Sequence, residues 1–364
     1  MRRKLVVVLF CFALAAGSVF AAPKILRVLT HSSFAATKEL IKAFQKANDV
    51  TVEFSAGGDA GETLNKAILS KGTPLADVLY GVDNTFMGRA LGADIFEPYD
   101  SPVLAEIPAD LQLDVSHRLL PVDFGFISLN YDSAWFKQKN IRLPRTLEDL
   151  ARPLYRGLLV VENPATSSPG LAFFLATISR FGENAQTTAP RENAQTAAAG
   201  GAYTWETYWN DLKKNDVLTV NGWEEAYYNE FSAQGKGKRP LVVSYSTSPA
   251  YEVYAAADPK PAEPPTGNIM PDAGAFRQVE FVGILKGTRE EALARKFVDF
   301  MLSPVFQADI PLQMWVYPSR RGVPLPDIFH RLAPVPAKPA IMDAAAIDAN
   351  RSSWIQRWTQ IVLH

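Results

Sequence analysis

The sequence is poor in the features that mark most catalytic and nucleic-acid-binding chains. Its 364 residues include a single cysteine and four histidines, and 37 Lys+Arg against 38 Asp+Glu leave a formal charge of −1. A chain without basic excess is not built for a phosphate backbone, which needs clustered Lys and Arg. The longest dense basic tract, Lys236-Gly-Lys-Arg239, is too short for that role, so no nucleic-acid partner is expected. There is no G-x-S-x-G elbow, no H-E-x-x-H, no Walker loop and no G-x-G-x-x-G after a strand. His31, His117, His330 and His364 never pair at i, i+4, and no thiolates accompany them, so neither a metal site nor a cofactor is expected. What remains is an ordinary globular composition, 48% hydrophobic and 11% aromatic, long enough for two lobes.

The one cysteine is informative by its place. Cys11 lies in the apolar run from Leu5 to Ala16, after Arg2-Arg3-Lys4 and before Gly17-Ser-Val-Phe-Ala21. A basic start, a short apolar stretch and small residues at its end form a secretory signal peptide, and cleavage is expected after Ala21. A membrane span would need about 20 apolar residues. Removing residues 1–21 leaves 34 of the 37 basic side chains against 38 acidic ones and no cysteine, which suits an exported protein that takes its stability from packing.

The following segments alternate between strand and helix patterns. Ile25–Leu29 reads as a strand, Ser33–Ala47 as a helix with Leu40, Ile41, Phe44 and Ala47 on one face, and Val50–Phe54 as a second strand, a βαβ unit that predicts a parallel sheet. Gly61–Ser70 reads as a helix, Ala76–Tyr80 as a strand and Leu119–Tyr131 as a long apolar strand able to cross between lobes. A second α/β region has strands at Leu158–Val161 and Leu241–Tyr245 and helical patterns over Pro169–Phe181, Ala202–Lys214 and Glu224–Phe231. Glu-Asn-Ala-Gln-Thr occurs twice inside an Ala-rich insert over 183–201, and Asp258–Pro271 is a Pro-rich loop. Val279–Leu285 returns the chain as a second crossing strand, followed by an amphipathic helix over Glu290–Leu302 and, after Pro-rich Val323–Pro339, a last helix ending in Trp354-Ile-Gln-Arg-Trp358. The expected architecture is α/β, with lobe 1 formed by 22–123 and 280–320, lobe 2 by 124–279, and 321–364 packed on both. Two crossing strands between such lobes form a hinge, and a small ligand is expected in the cleft between them.

The candidate cleft residues are aromatic and hydroxyl side chains at element ends. Trp223 follows Asn221-Gly222, Tyr245-Ser246-Thr247-Ser248 with Tyr251 ends a strand, and Trp315 lies in Gln313-Met-Trp-Val-Tyr-Pro318. Rings with hydroxyls suit a flat or cationic ligand. Ser167 and Ser168 precede Pro169 at a helix start, where they could cap the helix or hold an anion. Asp59 in Gly57-Gly-Asp-Ala-Gly61 could pair with a ligand cation or make a turn, and His31, directly after the first strand, could contact ligand or bond locally.

At these residues the sequence resembles the periplasmic thiamine-binding proteins of ABC importers, within the bacterial extracellular solute-binding proteins. The resemblance runs from about Leu26 to Leu325 and is carried by ordered stretches such as Ala76-Asp-Val-Leu-Tyr-Gly-Val-Asp-Asn84, Asn163-Pro-Ala-Thr-Ser-Ser-Pro-Gly-Leu171, Thr219-Val-Asn-Gly-Trp-Glu-Glu-Ala-Tyr227 and Val243-Ser-Tyr-Ser-Thr-Ser-Pro-Ala-Tyr251. It implies a two-lobed periplasmic-binding-protein fold that closes on thiamine, thiamine monophosphate or thiamine diphosphate and delivers it, as a monomer, to a permease driven by an ATPase. The ligand contacts it implies are Asp59, Ala60, Ser167, Ser168, Trp223, Tyr245, Ser246, Thr247, Ser248, Tyr251 and Trp315. His31 and Lys38 stand where the family places a tyrosine and a tryptophan, and Ala60 replaces a glycine. Two other readings stay open. A ferric-ion carrier could draw oxygen ligands from Tyr227-Tyr228 or from Tyr251 with Tyr254, and a secreted hydrolase could use Ser167 or Ser246, although no motif places a base.

Overall fold

The computed structural model describes residues 24–183, 203–234, 237–261, 263–271 and 274–364. The expected signal peptide with its cleavage site and nearly all of the 183–201 insert lie outside these residues. Among the described residues, eleven strands form one mixed sheet. They are β1 (Lys24–Thr30), β2 (Val50–Ala56), β3 (Val78–Asp83), β4 (Phe96–Glu97), β5 (Leu120–Asp132), β6 (Leu159–Glu162), β7 (Leu218–Val220), β8 (Leu241–Tyr245), β9 (Thr266–Ile269), β10 (Phe276–Leu285) and β11 (Tyr317–Pro318). The helices are α1 (Lys38–Asn48), α2 (Ala60–Leu69), α3 (Met87–Gly92), α4 (Ser133–Lys139), α5 (Leu147–Leu150), α6 (Ser168–Phe181), α7 (Trp205–Lys214), α8 (Ser248–Ala255), α9 (Glu291–Met301), α10 (Pro304–Gln313), α11 (Asp327–Leu332) and α12 (Ala344–Val362).

The sheet order β2-β1-β3-β10-β5-β8-β6-β7 explains the two-lobed form. β1 pairs in parallel with β2 and β3, and β6 pairs in parallel with β7 and β8, so each side carries helical crossovers. Between these parallel units run β5 and β10, antiparallel to each other and to their outer neighbours, the two strands that cross from one side to the other. β5 is buried almost end to end, as its largely apolar run from Leu119 foretold, with Asp123, Ser128 and Asn130 buried among the apolar residues. β2 shows the opposite signature, with Val50 and Val52 buried and Thr51 and Glu53 exposed.

Bulges beside β10 re-aim side chains at the centre of the sheet. Phe281 and Val282 face Val82 and Tyr80 on β3, leaving Gly81 as the extra residue, while Glu280 and Phe281 face Asp123 and Pro121 on β5, leaving Val122 extra. Gly81 has φ +103°, and a Cβ there would stand 2.3 Å from the His31 Cδ2. Only glycine satisfies both that backbone and the close approach of the imidazole.

Several boundaries differ from expectation. α1 begins at Lys38 rather than Ser33, because the Asp309 carboxylate accepts from the backbone and hydroxyl of Thr37 at 2.8 and 2.6 Å and holds Ser33–Thr37 off the helix. The Pro-rich stretch before Pro271 contains β9, a strand of one apolar residue in four that gains its pairing from β5. Glu225–Glu230 is a π-helical turn. The Pro-rich stretch after Val323 contains α11, and α12 runs past Trp358 to Val362. α12 packs on α3 and on α7, so it joins the two sides of the molecule. Its Trp358 is fully buried, edge-on to Trp209 with ring centroids 5.4 Å apart, an arrangement that adds about 1 kcal/mol beyond the area it buries.

Candidate functional site

A cavity of about 260 Å³ opens where the ends of β1, β2 and β8 and the middle of β10, at Glu280, meet the residues around Trp223 and Trp315, and a second of about 480 Å³ adjoins it. They share Ser33, Asp59, Trp223, Glu224 and Tyr228. Two aromatic walls bound the first cavity. On one, Trp223 stacks on Tyr227 with centroids 5.1 Å apart and planes at 21°, and Tyr228 and Tyr245 stand edge-on to it. The indole N–H of Trp223 donates to the Ser244 hydroxyl at 2.9 Å, which fixes the ring. On the other, Trp315 stacks on Phe329 at 5.8 Å and 18°, with Tyr251 and Tyr254 against its edge. Trp315 has φ +57°, a left-handed backbone that costs a bulky residue about 1–2 kcal/mol. Its carbonyl accepts from the Thr247 hydroxyl, which contributes to holding that strained geometry.

The floor is acidic. Asp59 caps α2 by accepting from the Ala60 N–H at 2.7 Å and reaches across the cleft to accept from the Trp223 N–H at 3.1 Å. The Gly61 N–H donates to the Thr166 carbonyl and Ser33 donates to Glu224, both across the same gap. Burial pushes the Asp59 carboxyl up, against the pull of Ala60, Ser167, Trp223 and His31. Glu280 lines the cavity 3.8 Å from the His31 Nε2, and the Tyr80 hydroxyl lies 3.0 Å from Glu280 and 2.6 Å from Asp123, with one proton to share between the two carboxyls. Burial would raise Glu280, but His31, Tyr80 and Asp123 together hold it below its ordinary range, while burial and Glu280 push Asp123 well above. Glu162, near Asp59, is likewise driven well above by burial. The negative field extends to Tyr245, whose phenol is raised well above 10 by burial and by Glu280, Asp59, Asp83 and Asp123.

Asp83 lies one bond behind the lining, accepting from Ser168 and from the Thr85 N–H. Burial pushes its carboxyl up to about 6, opposed by Ser168 and Thr85 and assisted by Glu280. A carboxyl raised from 3.8 binds a proton in the native state that the unfolded chain has already released. Stability therefore falls between about pH 4 and pH 6, by about 3 kcal/mol for a shift of that size. Asp83→Asn keeps an acceptor for Thr85 and removes this loss. Thermal melts of the ligand-free variant are expected to show a midpoint several degrees above wild type at pH 7 and a weaker decline from pH 4 to 6.

Of the residues singled out from sequence, Asp59, Ala60, Ser168, Trp223, Tyr245, Thr247, Ser248, Tyr251, Trp315 and His31 line the first cavity. Ser167, Ser246 and Lys38 do not. Ser167 is the residue before α6 but its hydroxyl makes no cap; buried, it lies close enough to act on Asp59 without a well-formed hydrogen bond. Ser246 is buried toward Tyr317, its backbone N–H held by the Phe126 carbonyl, and Lys38 is exposed at the start of α1. After β8 the chain makes a turn at Ser246-Thr247, and Ser248 opens α8. Sequence reasoning passed over Glu280, Asp83 and Glu224, and named Tyr227 and Tyr228, which also line the cavity, only as candidate iron ligands. For Glu280 the signal was present, a carboxylate inside the apolar strand Val279–Leu285, where an ionisable side chain is rare unless a partner awaits it.

The chain matches the model of the bacterial extracellular solute-binding proteins over residues 73–348. It is 30% identical to a thiamine-binding periplasmic protein of Escherichia coli (strain K12), over 96% of each chain. Among solved structures it is similar to a periplasmic thiamin binding protein at 26% identity, with a TM-score of 0.76 covering 93% of this chain and 96% of that one. The ferric binding protein from Campylobacter jejuni shares the fold, with a TM-score of 0.68 over 92% of this chain and 99% of that one at 18% identity. The two-sided sheet with its crossing strands and cleft, and the family match over most of the chain, make it a member of the bacterial extracellular solute-binding proteins.

Proposed function

We propose that the protein is the periplasmic receptor of an ABC importer, binds thiamine in its cleft without catalysing a reaction, and delivers it as a monomer to a permease powered by an ATPase. The observation that carries this reading is the charge of the cleft. Asp59, Glu224 and Glu280 line it between two aromatic walls, and no lysine or arginine is among the described lining residues. A thiazolium ring is a permanent cation that gains from ring faces and carboxylates in a low-dielectric site. The same charges oppose a phosphate, so thiamine is bound ahead of its monophosphate, and the monophosphate ahead of the diphosphate. Similarity to the thiamine-binding proteins of other bacteria supports the ligand.

The proposed lobe boundaries, 123/124 and 279/280, fall at the facing pair Asp123 and Glu280, which sets the acids at the hinge. At the Tyr227-Tyr228 pair the ferric reading is disfavoured. The Tyr227 hydroxyl donates to Glu252 at 3.0 Å, and burial with that carboxylate raises it, opposite to the phenolate an iron ligand must become. A hydrolase is disfavoured because Ser167 and Ser246 lie outside the cavity lining. Titrating thiamine is expected to quench tryptophan emission through Trp223 and Trp315 and to raise the melting temperature as ligand exceeds Kd, by about 3 kcal/mol of stability at a hundredfold excess. Unchanged emission and melting would exclude the proposal.

A further inference from the structure

Among the described lining residues the cleft holds one ionisable nitrogen beside several carboxyls. His31 projects from the end of β1 into the cavity, over ninety percent buried, and its Nε2 has no hydrogen-bond partner. It is 3.8 Å from the Glu280 Oε2, a distance for a charge pair and too long for a hydrogen bond. Gly81 seats one edge of the ring, and Tyr80 lies against it at 5.5 Å between centroids. The titratable groups facing it are Glu280 from β10, Tyr80 and Asp83 from β3, and Asp59 before α2, with Asp123 of β5 behind Tyr80.

We propose that His31 and Glu280 form a charge pair, in which the imidazolium balances the acidic cleft until a cationic ligand enters, takes over that charge and expels the imidazole proton to solvent. This rests on the thiamine reading and adds to it a residue that sets how tightly the cleft holds a cation at a given pH. The charges balance: a ligand cation enters, a proton leaves, and Glu280 stays ionised throughout. Burial lowers the basicity of His31, but Glu280, Asp59 and Asp83 override it, so the imidazole is raised from its ordinary value and is available to carry the proton near neutrality. A ligand that prefers neutral His31 must bind more tightly as pH rises through the His31 midpoint and reach a plateau above it. By reciprocity its binding lowers that midpoint.

The test is calorimetry of thiamine binding to the whole protein at pH 7 in two buffers of different ionisation heat. The expected result is unequal heats corresponding to release of a substantial fraction of a proton. Affinity is expected to fall by about tenfold per pH unit on the acid side of the midpoint. In His31→Gln and in Glu280→Gln the heats in the two buffers should coincide. Equal heats in the wild type, or unequal heats persisting in His31→Gln, overturn the proposal, the latter assigning the proton to another group such as Asp83. Should the variants fail to fold, imidazole NMR of the wild type decides: one of the four histidine signals must shift from protonated to neutral on loading, and no change in any overturns the proposal. No thiamine heat at any pH overturns the functional reading itself, a result distinct from binding without proton release.

Discussion

Trp223→Ala is expected to weaken thiamine binding about a hundredfold. A cation over a desolvated indole face gains about 2 kcal/mol, and the apolar area that the ring covers adds about 1 kcal/mol, together some 3 kcal/mol. The geometry favours the full effect. The ring is stacked on Tyr227, tied by its N–H to Ser244 and held through its backbone by Asp59, so it meets the ligand without an ordering cost. The fold should survive the substitution, because Ser244 keeps its contact with the Ser248 hydroxyl and the chain around Trp223 is only partly buried. Trp223→Phe restores a ring face without the indole N–H and should recover about half of the lost free energy. Calorimetric affinities for the three proteins check this, and a loss below threefold in the alanine variant would remove Trp223 from the ligand wall.

The second large effect is expected at Asp59→Asn. Asparagine caps helices as well as aspartate, so α2 should be retained. Two things are lost together. The cleft loses a carboxylate beside the ligand cation, and the acceptor that ties the Trp223 N–H across the gap is replaced on one side by an amide that donates. Truncating a desolvated charge partner in this way costs about 2–5 kcal/mol, on the order of a hundredfold or more in affinity. The loss should appear mainly as faster dissociation, because the same substitution loosens a contact that closes the cleft. Stopped-flow release of thiamine measures it directly, and an unchanged release rate with unchanged affinity would show that Asp59 serves only as a cap.

How much of this was legible in the sequence depended on whether a residue's surroundings were local. The strand Leu241–Tyr245 and the βαβ start were readable because alternation and helical spacing are properties of neighbours along the chain. The start of α1 was not, since Thr37 is held by Asp309, far away in sequence. α10 carries Pro304 and Pro311 and was hidden by them, although its capping residue Ser303 and buried Phe306 and Ile310 make it a helix in context. The aromatic part of the site was visible because Trp223, Tyr245 and Trp315 interrupt the pattern at element ends. The acidic part was not, because Glu280, Asp123 and Asp83 become one cluster only through strand register and two bulges. Ser167 and Ser246 illustrate the converse error: in a run of hydroxyls, composition does not reveal which ones face the cavity.

In the proposed function, an acidic, aromatic cleft selects the thiamine cation. Calorimetric titration of the ligand-free protein with thiamine, thiamine monophosphate and thiamine diphosphate under one set of conditions tests it most directly. A one-to-one saturable heat is expected with thiamine, with affinities that fall with each added phosphate. Tighter binding of the diphosphate, or no heat with thiamine, would contradict it.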